Sequence, residues 1–363
     1  MHRFFSAPII ALLAMPLSAQ DRSKPAAGDD NGFRSLFNCK NLDGWVNVNC
    51  HPSTFYVKDG EIITTGKPTG FLRTDRQYEN FVLEMDWMHV NKTEVGNSGL
   101  FVWGDPLPGV GTPYTRGIEV QVLINYPKVD WATNHGDIFS IHGAHCKPDR
   151  PHPKGYERCL PSEDRVKGGG EWNHYKVIAN NGAIKLHVNG KEVSGVSQCN
   201  PRKGYLALES EGAECHFKNI RIKELPSTNP KPEECAKVAE GHKSLFNGID
   251  LKGLKTEEGA WKAAGGVLRA TGQADISTEK AYGACELIFD WKAPAKAEKP
   301  QVEVSVGGLG PLVVTLPAGA KAGGWNRQTV KYGRVRENAP ITFKATNGLE
   351  LMNIFVRDLQ GNK

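Results

Sequence analysis

Arg116-Gly117-Ile118-Glu119-Val120-Gln121-Val122-Leu123-Ile124 alternates with a period of two. Ile118, Val120, Val122 and Ile124 take one face of a strand, and Glu119, Gln121 and Leu123 take the other. The first face belongs in the core of a sheet. The second sets a carboxylate and a carboxamide roughly 7 Å apart, since a strand rises about 3.3 Å per residue. The pattern alone fits a half-solvated strand with a surface carboxylate equally well. A Gly-rich aromatic run precedes it, Gly96-Asn97-Ser98-Gly99-Leu100-Phe101-Val102-Trp103-Gly104, and a His- and Cys-rich segment follows.

Outward from this strand the chain reads as β throughout. Asn181-Gly182 and Asn189-Gly190 separate runs that alternate, the strongest short-range hairpin signal, and Asp59-Gly60 is a third tight turn. Strands are expected over 55–57, 61–64, 78–90, 172–178, 183–188, 191–193, 204–209 and 214–225. No stretch reads as an amphipathic helix. The composition agrees, with 40 Gly and 22 Pro in 363 residues. Many short strands with regular turns predict a sandwich or barrel.

Residues 226–241 are Pro-rich and polar and read as a linker. Beyond them the chain repeats itself. Ser244-Leu245-Phe246-Asn247 repeats Ser35-Leu36-Phe37-Asn38, and the run ending Asp290-Trp291 repeats the one ending Asp86-Trp87. Trp325-Asn326 matches Trp172-Asn173, and 353–359 matches 219–225. The spacing between matched segments falls steadily along the chain, as insertions and deletions in a duplication would give. The largest difference is an insert in the first copy between Trp87 and Trp172. It holds Asn97, Trp103, Arg116, Glu119, Gln121, His135, His142, His145, His152 and Arg158. The counterpart of 118–122 in the second copy is Leu312-Val313-Val314-Thr315-Leu316, in which the polar pair is lost. A scaffold that keeps its core and loses its polar pair has lost a site, which marks Glu119 as functional.

The amino terminus reads as a secretory signal over 1–19, followed by a polar leader over 20–32. That predicts a secreted or periplasmic protein with no transmembrane segment after signal removal. All 8 Cys follow the signal, an even number, so at least two intrachain disulfides are expected, with Cys39–Cys50, Cys146–Cys159 and Cys199–Cys215 plausible pairs. The net charge of +5 is mild and no basic stripe stands out, which argues against nucleic-acid binding. No motif calls for a nucleotide cofactor. His142 and His145, with His135 and His152 nearby, leave a divalent metal as an open alternative to ordinary loop histidines.

With these residues in view, 33–225 resembles the 3-keto-disaccharide hydrolase family, also described as 3-keto-glucoside lyase/hydratase domains. The matching pieces are Ser35-Leu36-Phe37-Asn38 with Leu42-Asp43-Gly44-Trp45, Asn97-Ser98-Gly99-Leu100, Gly117-Ile118-Glu119-Val120-Gln121, Gly170-Glu171-Trp172-Asn173, and Gly204-Tyr205 through 217–221. Glu209 stands where a Gln is common, and no Asp follows the Glu-x-Gln pair. The resemblance implies a concanavalin-like jelly roll over 33–225, and the repeat extends it to an all-β chain with a second, shortened jelly roll over 242–363. The resemblance also implies a carbohydrate groove into which Glu119 and Gln121 look, and an oligosaccharide or glycoside as substrate.

Ordinary glycoside hydrolysis wants two carboxyl groups. Gln121 cannot ionise, so a carboxylate such as Glu84, Asp86, Glu209 or Glu211 would have to complete the pair from a neighbouring strand. A 3-keto sugar relaxes that need, because the ketone acidifies the C2 hydrogen and one base suffices for β-elimination. Glu119 is then the expected base and His142 a second catalytic candidate. Arg73, Asn97, Trp103, Arg116, Gln121 and Glu209 are expected to bind substrate, with Arg73, Arg116 or His142 holding the developing enolate. The rival expectation is a non-catalytic carbohydrate-binding or adhesion module.

Overall fold

The structure is a computed structural model that describes residues 31–359 except 128, 134–135, 239–240, 307–308 and 334–336. The expected signal, most of the leader and His135 therefore lie outside the described residues. The chain is all-β. Among the described residues the one helical element is a 3-10 turn at Pro232–Glu234, and no helix is long and apolar enough to cross a membrane.

Four antiparallel sheets form two pairs. Residues 34–224 build a nine-stranded and a seven-stranded sheet, and 243–358 build a six-stranded and a five-stranded one. Each pair encloses its own apolar core. Trp87, Tyr175 and Phe217 from the nine-stranded sheet meet Val120, Val122 and Leu208 from the seven-stranded sheet. Trp291, Phe289 and Leu351 meet Val302, Val304 and Ile341 in the second pair. The turns form as their residues dictate. Asn181 and Gly182 both have positive φ (47° and 74°), as do Asn189 and Gly190 (48° and 91°), which is what a two-residue hairpin needs. The linker is fastened to the first pair, with Arg202 paired to Glu234 at 3.0 Å and Lys237 N–H donating to Asp105 at 2.9 Å.

The seven-stranded sheet runs Arg158–Cys159, Ile138–Ile141, Gly117–Ile124, Gly96–Gly104, Tyr205–Ser210, Gly70–Thr74, Trp45–Val48. The alternation of the Glu119 strand is real, yet both of its faces are buried. The second pair covers part of the same outer face. Its six-stranded sheet turns Ile288 and Phe355 outward, and these pack on Val48, Phe71, Phe101 and Ala207 of the first. The outer face of the first pair is thus partly covered by the second.

The expected disulfides do not form: all eight cysteines are free thiols. Cys146 and Cys159 are near one another but unbonded, and the other two proposed pairs sit apart. Cys50 packs over Gly70 while Cys39 lies beside Gly60, and Cys215 faces Thr64 and His89 in its ladder while Cys199 lies near Cys146. Burial raises the thiols of Cys50, Cys199 and Cys215, and that of Cys146 to about 12. These behave as small hydrophobes.

Candidate active site

The Glu119 strand pairs with Gly96–Gly104 so that Glu119 lies opposite Phe101 and Gln121 opposite Gly99. On the far side of Gly96–Gly104 runs Tyr205–Ser210, with Leu208 opposite Leu100. Gly99 therefore sits between the strands of Glu119 and Glu209. A Cβ built at position 99 would lie 2.8 Å from Glu119 Oε1 and 3.0 Å from Glu209 Oε2. The two oxygens are thus no more than about 6 Å apart. The missing side chain is the space they share.

Glu211, one residue beyond that strand, completes the cluster. It accepts from Asn97 Nδ2 at 2.6 Å and from the Tyr114 hydroxyl at 2.7 Å. Gln121 Nε2 donates to Asn97 Oδ1 at 2.8 Å and to the Ser98 carbonyl at 3.2 Å, and its Oε1 accepts from Arg158 at 3.4 Å. Arg158 is paired with buried Asp137 at 2.6 Å and lies over the ring of Phe139, 4.0 Å away. Phe139 is the cross-strand neighbour of Glu119.

The electrostatics follow from burial. Glu119 is 6% exposed and Glu209 1% exposed. Burial, then Glu211 and Asp137, push the Glu119 carboxyl up to about 8 against the opposing pull of Arg158. Glu209 is held well above the carboxylate range by burial, Glu119 and Glu211, and neither of its oxygens has a hydrogen-bond donor. Burial and the hydrogen bond to Glu211 also raise the Tyr114 hydroxyl. Burial thus favours the protonated forms of Glu119 and Glu209, with Glu119 the one that Arg158 helps to ionise.

Glu119, Gln121, Asn97 and Glu209 come together. Arg73 lies near them on the same face, but its guanidinium is spent on the carbonyls of Pro106 and Thr74 and stacks on Tyr205. Arg116 is clamped by both oxygens of Asp105, at 2.9 and 3.0 Å. His142 is exposed, stacked on Tyr114 at 5.5 Å and 3.4 Å from the Thr112 hydroxyl. Trp103 is not on this face. Its φ is 57° and the ladder slips beside it. This turns the ring into the core, 0% exposed, with its N–H on the Glu79 carbonyl at 2.7 Å. The histidines do not converge: His145 pairs with Glu157 and His152 with the Trp131 carbonyl. Among the described residues no group of three or more His, Cys, Asp or Glu is placed to hold a metal.

Sequence reading gave Arg158 no role and Tyr114 no place in the cluster, and it had Glu211 only among several carboxylates that could complete a pair. Arg158 and Tyr114 lie in the insert that sets the first copy apart, which was the available signal. Beside Phe139 and Arg158, at the edge of the sheet, a cavity of about 380 Å³ is lined by Trp131 and Tyr156.

Comparison with known proteins bears on this site. Residues 32–223 match the sequence profile of the 3-keto-alpha-glucoside-1,2-lyase-like domain. A 3-keto-disaccharide hydrolase of Bacteroides thetaiotaomicron is 21% identical over 237 residues, 54% of this chain and 80% of that protein. A glycosyl hydrolase candidate from Parabacteroides distasonis, of known structure, is 24% identical with a TM-score of 0.41, over 54% of this chain and 95% of that one. The carbohydrate binding module CBM66 from Bacillus subtilis is 13% identical with a TM-score of 0.34, over 50% and 96%.

Proposed function

The chain belongs to the 3-keto-alpha-glucoside-1,2-lyase-like family through residues 32–223, and on that premise we propose that it cleaves 3-keto-glycosides by base-assisted β-elimination and hydration. One observation carries the proposal. Two buried carboxyl groups, Glu119 and Glu209, face each other across Gly99, and only one has a cation to favour its ionised form.

Glu119 takes the C2 hydrogen as a proton, and that C–H electron pair becomes the C1=C2 double bond. The C1–O bond breaks, and the departing oxygen takes a proton from Glu209. Arg158 and Tyr114, both close enough to act on Glu119 or be acted on by it, favour the negative charge that develops on the enolate. Water then adds across C1=C2, hydroxyl to C1 and proton to C2, for net hydrolysis. Gln121 and Asn97 orient hydroxyls.

The same reading takes each sheet pair as one concanavalin-like jelly roll, 33–225 and 242–363, joined by 226–241. It takes 1–19 as a signal for export, and the second copy as lacking a site of its own. Leu312–Thr315 pairs with Gln301–Ser305 as the Glu119 strand pairs with Gly96–Gly104, and it offers Val313 and Thr315 for the polar pair.

A positioned base contributes roughly 10²–10⁴-fold, so Glu119→Gln lowers turnover of a 3-keto-glucoside by about that factor with folding intact. Gln121→Ala costs less. A parent protein that binds unoxidised glycans and turns over no 3-keto-glycoside would overturn the proposal in favour of a carbohydrate-binding module.

A further inference from the structure

The second copy does more than cover apolar surface. Its six-stranded sheet carries a buried polar triad at the contact with the first copy. Asp290, 0% exposed, takes Arg327 Nε at 2.7 Å, Arg327 Nη2 at 2.9 Å and Asn353 Nδ2 at 2.7 Å. Its remaining partner comes from the first copy: Gly111 N–H donates to Asp290 Oδ2 at 2.9 Å. Asn353 Nδ2 also reaches the carbonyls of Gly109 at 3.1 Å and Thr112 at 2.9 Å, and Arg327 Nη2 reaches Gly109 O at 3.3 Å. Trp325 lies so close on Gly111 that a Cβ there would fall 2.3 Å from its ring. Gly111 has a φ of 69°, so both its backbone and the ring above it call for glycine.

The 109–112 turn is thereby held at its donors and its acceptors. Two residues further on is Tyr114, whose hydroxyl donates to Glu211 in the carboxylate cluster. Thr112 in the same turn meets His142, which stacks on Tyr114. The chain of contacts runs from the second copy's triad through four residues of backbone to the donor over the three carboxyl groups.

The repeat supplies a comparison within the molecule. The counterparts of Asp290, Arg327 and Asn353 are Asp86, His174 and Asn219. They form the same triad, with His174 on Asp86 at 2.7 Å and Asn219 on Asp86 at 2.6 Å. Asn219 and Asn353 share a left-handed backbone, φ 52° and 50°. In the first copy this triad lines a surface cavity of about 500 Å³. The sandwich thus forms the triad whether or not it grips a loop.

We propose that Asp290, Arg327 and Asn353 are positioning residues for the first copy's active site, acting through the 109–112 turn to set Tyr114 over Glu211. This rests on the elimination reading above for its kinetic consequence, and on the hydrogen bonds alone for its structural one.

The test is a matched pair of variants, Asn353→Gly and Asn219→Gly, each of which keeps its left-handed backbone without strain. In the full chain, Asn353→Gly is expected to speed amide hydrogen exchange over 107–114 and to lower kcat on a 3-keto-glucoside about 10–100-fold with KM little changed. Asn219→Gly is expected to do neither. Tyr114→Phe is expected to lower kcat similarly, and Asn353→Gly in the Tyr114→Phe background to add little, because both act through one hydroxyl. Unchanged exchange over 107–114 would overturn the proposal, and so would full additivity of the two substitutions. Should Asn353→Gly not fold, Asp290→Asn enters the same cycle. If the parent turns over no 3-keto-glycoside, the elimination reading fails, while the exchange comparison still decides whether the clamp exists.

Discussion

At position 99 a single methyl group would change the site. Its Cβ would press on carboxylate oxygens of both Glu119 and Glu209. Those oxygens end flexible side chains, so the fold can yield where the geometry of the pair cannot. Gly99→Ala is expected to stay folded and to lose at least about tenfold in turnover, read by steady-state kinetics beside a thermal melt. Charge at the same spot gives a second expectation. Glu119 has its pKa raised from 4.5 to about 8. Between those values the folded protein holds a proton that the unfolded chain has released, so stability falls as pH rises through that window. Glu119→Gln removes this loss. Denaturant unfolding should show the variant gaining on the parent from pH 5 to pH 9, by an amount on the order of a few kcal/mol at the upper end. For the parent, kcat/KM should rise with pH toward about 8 as the base ionises.

At the scale of elements, the strand Arg158–Cys159 carries the cation that tempers the cluster. Arg158→Gln leaves Asp137 buried and without its ion pair, which costs about 3–5 kcal/mol. It also removes the charge that lowers Glu119, so the rise in kcat/KM should move to higher pH. A pH profile with an unmoved limb would contradict the assignment. This strand also shows where sequence reading stops. The alternation of 118–124 and the Asn-Gly turns were legible, because strand period and turn type depend on neighbouring residues only. Arg158 reaches Gln121 from two strands away and Tyr114 reaches Glu211 from a loop, and no local pattern encodes either approach. Trp103 was misread for a related reason. One residue of positive φ moved its ring from the outer face to the core, and the run around it carries no mark of the slip. The disulfides failed because an even Cys count says nothing of where strands place the thiols.

At the scale of the whole molecule, the contact between the two sheet pairs was not legible. Ile288 and Phe355 lie on strands whose local sequence names no partner for them. In the folded chain they close over Phe71 and Phe101, which meet edge to face at 6.0 Å. The second sheet pair thus covers part of the face that carries Glu119 and Glu209, whose raised pKa values have burial as their first cause. Phe355→Ala should cost about 3–5 kcal/mol. Calorimetry is expected to show a lower melting temperature, with the two sheet pairs beginning to unfold separately.

The claim at the centre is that Glu119 removes the C2 hydrogen of a 3-keto sugar while Glu209 protonates the leaving oxygen. Its most direct test is turnover of a 3-keto-glucoside in D₂O, with mass analysis of the released sugar at early times and a control of free 3-keto-glucose. The account expects one solvent deuterium at C2 of the product beyond the control, and expects both cleavage and labelling to fall together in Glu119→Gln. Cleavage with the original hydrogen still on C2 would contradict it.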